Sequence, residues 1–98
     1  MNSYIQKLLN FFYEYSDELL SSNLILEINK KQISIDFLSN NKKGDIATNF
    51  LLIIRKKFID PKYDVESFLK NRIMKIDFIE SFEIAKNGFI NFNLKKRF

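Results

Sequence analysis

The chain has 98 residues, 46% hydrophobic and 29% charged, with a net charge of +4. That is the composition of a folded domain with one core, neither disordered nor fibrous. Cys and His are both absent, which excludes thiolate nucleophiles, Cys/His zinc sites and imidazole general bases, and leaves any catalysis to carboxylates, lysines or backbone donors.

From Ser3 to about Leu20, the residues Ile5, Leu8, Leu9, Phe12, Tyr15 and Leu19 follow helical spacing, with Asn2 or Ser3 available as N-cap. Phe11, Phe12, Tyr13 and Tyr15 are more aromatics than one face needs, so some are expected to be exposed or to sit at a boundary. Residues 21–32 are ambiguous between strand and turn. Ile33, Ile35 and Phe37 then alternate with Gln32, Ser34 and Asp36, which predicts a half-buried strand. "SNNKKG" is a loop by composition. Asp45 after Gly44 reads as the N-cap of a second helix that uses Ala47, Phe50, Leu51, Ile54 and Phe58, with Arg55-Lys56-Lys57 in its last turn, where cations suit the helix dipole. Asp60-Pro61 stops it. A third helix starts near Asp64, with Val65, Phe68, Leu69 and Ile73 on one face, and strands follow at about 79–85 and 89–94. This order predicts an α+β fold: a small antiparallel sheet backed on one face by about three helices, in a single two-layer domain over residues 1–98.

The register of the last two strands follows from their apolar faces. A two-residue Asn87-Gly88 loop would set Ile84 opposite Asn91 and mix core with solvent positions, because a slip of one residue turns every side chain over. A three-residue loop, Lys86-Asn87-Gly88, with Gly88 left-handed, pairs Ile84 with Ile90 and Phe82 with Phe92. Ser81, Glu83, Ala85, Phe89, Asn91 and Asn93 then share the opposite face.

The stretch "KGDIATN" (43–49) has one feature of a phosphate loop, a glycine before a helix start, but one glycine is too few and Asp45 brings its own negative charge, so a turn and cap is the favoured reading. Asp36, Asp45, Asp60, Asp64, Asp77, Glu80 and Glu83 form no pair at metal or acid/base spacing, and solvated faces and caps account for them. No metal site and no catalytic residue is expected. Phe89 and Asn91 are the candidate site. A ring face beside an amide that both donates and accepts is what an unstacked base requires, since stacking contributes about 1–3 kcal/mol and a bidentate amide contact discriminates by about 1–3 kcal/mol. A covered surface, hidden by another element or partner, explains the pair equally well. The clusters Lys30-Lys31, Lys42-Lys43, Arg55-Lys56-Lys57 and Lys95-Lys96-Arg97 suit a polyanion without demanding one. No apolar run approaches the roughly 18 residues of a membrane span, and "MNSYIQKLLN" lacks the order of a secretory signal, so a cytoplasmic, non-membrane location is expected.

"KGDIATN", followed some forty residues later by "NGFINFNL" and preceded by an amphipathic helix, closely resembles the additional N-terminal domain of arginyl-tRNA synthetases. In that family the motifs usually read His-Gly-Asp-x-Ala-Thr-Asn and Gly-Phe-Ile/Leu-Asn-Phe, and Lys43 stands here in place of the His. The resemblance spans essentially the whole chain. It implies a domain that grips an exposed D-loop base at the outer corner of tRNA-Arg, with Phe89 stacking on the base and Asn91 reading an edge, in line with the preference of RNA readers for unstacked loop bases. Asn87 matches an asparagine used by some eukaryotic members, across a turn one residue shorter. Lys86 and Asn93 flank the pair and complete the expected RNA-binding set, while Gly44, Asp45, Ala47, Asn49 and Gly88 are expected to be structural.

The resemblance also implies that the ATP-binding motif and arginine pocket belong to a catalytic core following such a domain, so no cofactor is expected on these residues and the core is an expected partner. The chain is then either one domain of a synthetase or a free-standing relative, expected to be monomeric. A protein-docking module is the alternative function.

Overall fold

The computed structural model describes residues 3–38 and 44–95. Helix α1 spans Ser3–Ser21, strand β1 Ile35–Phe37, strand β2 Ile46–Thr48, helix α2 Phe50–Ile54, helix α3 Val65–Ile73, strand β3 Ile79–Ile84 and strand β4 Ile90–Leu94, with single 3-10 turns at Lys30–Gln32 and Arg55–Lys57. The four strands form one antiparallel sheet in the order β1-β2-β4-β3.

Burial of the helical stripes explains the layering. α1 buries Leu8, Phe12, Tyr15 and Leu19, α2 buries Phe50, Leu51 and Ile54, and α3 buries Val65, Leu69 and Ile73. These meet Ile35, Ile46, Ile90 and Phe92 from one face of the sheet in a continuous core. Phe12 sits at the junction, its ring centroid 4.6 Å from Phe50 and 6.4 Å from Phe92. Ring pairs at such separations add specific attraction to the area they bury. The expected surplus of aromatics on α1 is absorbed: Phe11 and Tyr13 are half-buried against the same core, and Phe11 stacks on Tyr15.

The last hairpin has the expected register. Ile84 pairs with Ile90 and Phe82 with Phe92, Ala85 N–H donates to Phe89 C=O, and Gly88 takes a φ of +95° in the turn. Toward its other end β3 carries a bulge, with Ile79 opposite Leu94 and Ser81 opposite Asn93. α3 begins at the expected cap: Asp64 accepts from the Ser67 hydroxyl at 2.7 Å and the Ser67 amide at 3.2 Å. Those two bonds hold the Asp64 carboxyl below its usual range.

Four expectations need correction. The second helix does not carry Arg55-Lys56-Lys57 in its last turn or reach Phe58: it ends at Ile54, a 3-10 turn follows, and Phe58 is extended and bridges to Ile25. The segment after Gly44 is not the start of a helix, and Asp45 is not its cap. Residues Ile46–Thr48 are a strand paired on both sides, and the helix starts only at Phe50, after Asn49. Asp45 instead ties the sheet together. Its N–H donates to Phe92 C=O at 2.8 Å, its C=O accepts from Leu38 N–H at 2.9 Å, and its carboxylate accepts from Leu94 N–H at 2.8 Å. Ala47 accordingly lies in the sheet and packs no helix. Phe37, expected on the core face, is 63% exposed because it ends the edge strand. Phe68 likewise leaves the buried face of α3, at 54% exposed, and stacks on Tyr63 with centroids 5.3 Å apart. Lys42, Lys43, Lys96 and Arg97 lie outside the described residues.

The other end of β2 is closed by side chains. Thr48 donates its hydroxyl to Ser34 C=O at 2.8 Å and accepts from Phe50 N–H. The Asn49 side-chain amide accepts from Ser34 N–H at 2.8 Å and donates to Gln32 C=O at 2.9 Å, extending the β1–β2 ladder beside the backbone bond from Asn49 N–H to Ser34 C=O. Asn49→Ala leaves both backbone groups without these partners and is expected to destabilise the domain by about 1–3 kcal/mol. A thermal melt should register a fall of roughly 4–8 °C per kcal/mol; an unchanged midpoint would rule out this bridging role. Asp64→Ala, by contrast, removes only an exposed cap and should lower the midpoint less than Asn49→Ala in the same melt.

Candidate functional site

The helices cover one face of the sheet, and the opposite face carries a row of side chains in register across all four strands: Asp36, Ala47, Asn91 and Glu83. Small residues hollow this surface. Ala47 sits between Asp36 and Asn91, and Ala85 lies across from Phe89. The result is a recess of about 370 Å³, lined also by Leu38 and Asn87.

The hairpin turn aims Phe89. Asn87 turns its side-chain oxygen back to accept from Phe89 N–H at 3.0 Å, a local bond that suits Asn in turns. Gly88 is required twice: its φ of +95° disfavours a side chain, and a Cβ there would lie 3.1 Å from Leu52 Cα. The turn is thus seated directly on α2. Phe89 remains half-buried, its ring lining the recess. Asn91, two residues on, is also half-buried, and its amide has no hydrogen-bond partner among the described residues. A π-face and an uncommitted donor–acceptor group therefore share one cavity. Gly44 supports the floor, since a Cβ at its φ of +96° would stand 3.2 Å from Phe92 C=O and 3.4 Å from Asn91 Cβ.

Of the residues singled out from the sequence, the recess brings together Phe89, Asn91 and Asn87. Asn93 shares the face but lies outside the lining, donating to Ser81 Oγ at 2.9 Å. Lys86 is exposed in the hairpin loop, beside the recess but not lining it. Asp36 and Leu38 line the recess without having been expected. The signal that would have found them is the pairing of Asp36 with Ala47, which needs β2 to be seen as a strand.

Cations border this surface. Arg55 pairs with Glu66 at 2.8 Å and passes close to Gly88. Lys56 and Lys57 line a second concavity of about 500 Å³ that includes Leu52, the residue under the turn. Lys57 is paired with Glu27, whereas Lys56 and Lys86 have no ion-pair partner among the described residues. Behind the sheet, a smaller cleft of about 160 Å³ holds Tyr15 and Arg72. Arg72 lies over the Tyr15 ring and binds Glu18 through both terminal guanidinium nitrogens. The buried Tyr15 hydroxyl has no partner among the described residues, and burial pushes its pKa up to about 12.

Comparison with known proteins bears on this geometry. The family described as the arginyl tRNA synthetase N terminal domain matches residues 5–94. An arginine–tRNA ligase of Rickettsia canadensis is 29% identical over 90 residues, covering 89% of this chain and 16% of that protein. Those of Ehrlichia ruminantium (strain Gardel) and Hydrogenovibrio crunogenus are 32% and 33% identical over 63 and 61 residues, covering 64% and 62% of this chain and 11% and 10% of theirs. No solved structure matches significantly. The chain spans about a sixth of the length of the first of these relatives. With a match over nearly its whole length, on a fold whose two signature segments are adjacent strands of one sheet, the chain belongs to the arginyl-tRNA synthetase N-terminal domain family.

Proposed function

We propose that this domain binds tRNA-Arg by taking an exposed D-loop base into the recess, and that it thereby supports ATP-dependent arginylation by a catalytic core outside these residues. The observation that carries the reading is the coexistence of the Phe89 ring and the uncommitted Asn91 amide in one open cavity. Phe89 stacks on the base, and Asn91 reads its edge. Asn87, whose oxygen is held by the turn, offers its NH₂ to the same ligand. ATP and arginine belong to the core, and these residues hold no part of that chemistry. We read the domain as acting in the cytoplasm and as a monomer.

Phosphates of the same RNA run past the hairpin and the 3-10 turn after α2, where Lys86 and Lys56 stand without acidic partners among the described residues. Contacts of this kind position the RNA, while the recess supplies selectivity. Isolated binding should be weak, on the order of 10⁻⁴–10⁻⁶ M at physiological salt, as for contacts dominated by phosphates.

Two measurements test this. In titrations of labelled tRNA-Arg with the 98-residue chain, Phe89→Ala should weaken binding about 5- to 150-fold, the loss of one stacked base. In a synthetase carrying this domain, the same change should raise KM for tRNA and leave the KM values for arginine and ATP in place. Charging kinetics indistinguishable from the parent would defeat the assignment. Separately, affinity should fall steeply with salt, and Lys56→Ala or Lys86→Ala should each lower the slope of log K against log salt by about 1. A salt-independent affinity would instead point to apolar docking of a protein partner.

A further inference from the structure

Resting on the recess as a base-binding site, we propose that Asp36 makes it selective for a base bearing an exocyclic amino group, with Ala47 as the gap that admits the base. Asp36 stands level with Ala47 and, one strand further, with Asn91. Neighbouring strands are about 4.8 Å apart, so the carboxylate and the amide rise from strands roughly 10 Å apart with only a methyl group between them. Phe89 lies two residues along from Asn91 and lines the same cavity. A base laid against its ring therefore has one polar group on either side of its edge.

The two polar groups differ in kind. An amide donates and accepts, but an ionised carboxylate only accepts. Among the described residues no hydrogen bond or ion pair engages the Asp36 carboxylate, and Leu38 and Ala47, its neighbours in the recess, are apolar. Neither of these two neighbours supplies a donor, and the exposed carboxylate is left to solvent. On a chain of net charge +4, a bare carboxylate opposes the approach of an RNA backbone unless the RNA brings a donor to it. Adenine, cytosine and guanine each bring an amino group. Uracil presents one N–H between two carbonyl oxygens, so a carboxylate reaching for that N–H meets at least one oxygen of like charge. Discrimination then rests on a repulsive contact with the wrong base as much as on the bond to the right one.

Four tRNA-Arg transcripts that differ only at the exposed D-loop base, titrated with the 98-residue chain at one fixed salt concentration, test the assignment. The uracil transcript should bind about 5- to 100-fold more weakly than the best amino-bearing one, the span of a well-formed base contact. Asp36→Ala should abolish that gap. Asp36→Asn, which keeps the shape and gains a donor, should improve uracil binding specifically, a response that loss of structure would not produce. A gap that survives in both variants, or no gap in the parent chain, overturns the role of Asp36. Phe89→Ala separates this from the underlying reading: weakening of all four transcripts sustains the base site whatever Asp36 does. If Phe89→Ala leaves all four unchanged, or if the parent chain binds none, both the base site and the role of Asp36 fall.

Discussion

The fold depends on closing a three-residue strand at both ends. Ile46–Thr48 has too few residues to pair securely with two neighbours by its own backbone, and it lies between β1 and the β3–β4 hairpin, so losing it would divide the sheet. Asp45 fastens its start to Leu38, Phe92 and Leu94, and Thr48 with Asn49 fastens its end to Ser34 and Gln32. The carboxylate bond to Leu94 N–H is of the charge-assisted kind, stronger than a neutral one. Most of the motif "GDIATN" is explained by this single mechanical requirement, and Ala47 is the member left over for another task.

That task is to stay small. Once β2 is held, its outward residue defines the depth of the recess, because it stands between Asp36 and Asn91 in the same row. The second motif supplies the walls. Gly88 lets the turn rest on Leu52, and Asn87 holds the amide of Phe89. The two motifs, some forty residues apart, therefore build one cavity, its floor from the first and its ring and amide from the second. Because Phe89 is placed by turn geometry, ordering it would require little further loss of entropy on taking up the proposed base.

Much of this was legible in the residues. The α1 and α3 stripes and the hairpin register come directly from apolar periodicity, and the register alone was enough to put Phe89 and Asn91 on one face. The misreading of β2 has a physical origin. Gly-Asp before an apolar run carries the local signature of a helix start, and Ala47 and Phe50 fall at helical spacing. Strand identity here resides in partners distant in sequence, Asp36 and Asn91, which local propensity cannot register. Asp36 was missed for the same reason, since its neighbours are defined only across β2. Phe37 and Phe68 show the converse limit. Their spacing is that of core residues, but one ends an edge strand and the other lies on the outward side of α3.

The bulge in β3 also shapes how the domain meets other copies of itself. An open sheet has two edges, and a long flat edge is a template for unwanted strand addition. One edge here is β1, only three residues long, and the other is β3, whose ladder is interrupted between Ile79 and Ser81 and whose exposed positions include Glu80 and Glu83. Neither edge offers an incoming strand a continuous, uncharged row of backbone groups. A sheet whose outer face is left open is thereby guarded along its borders against edge-to-edge aggregation.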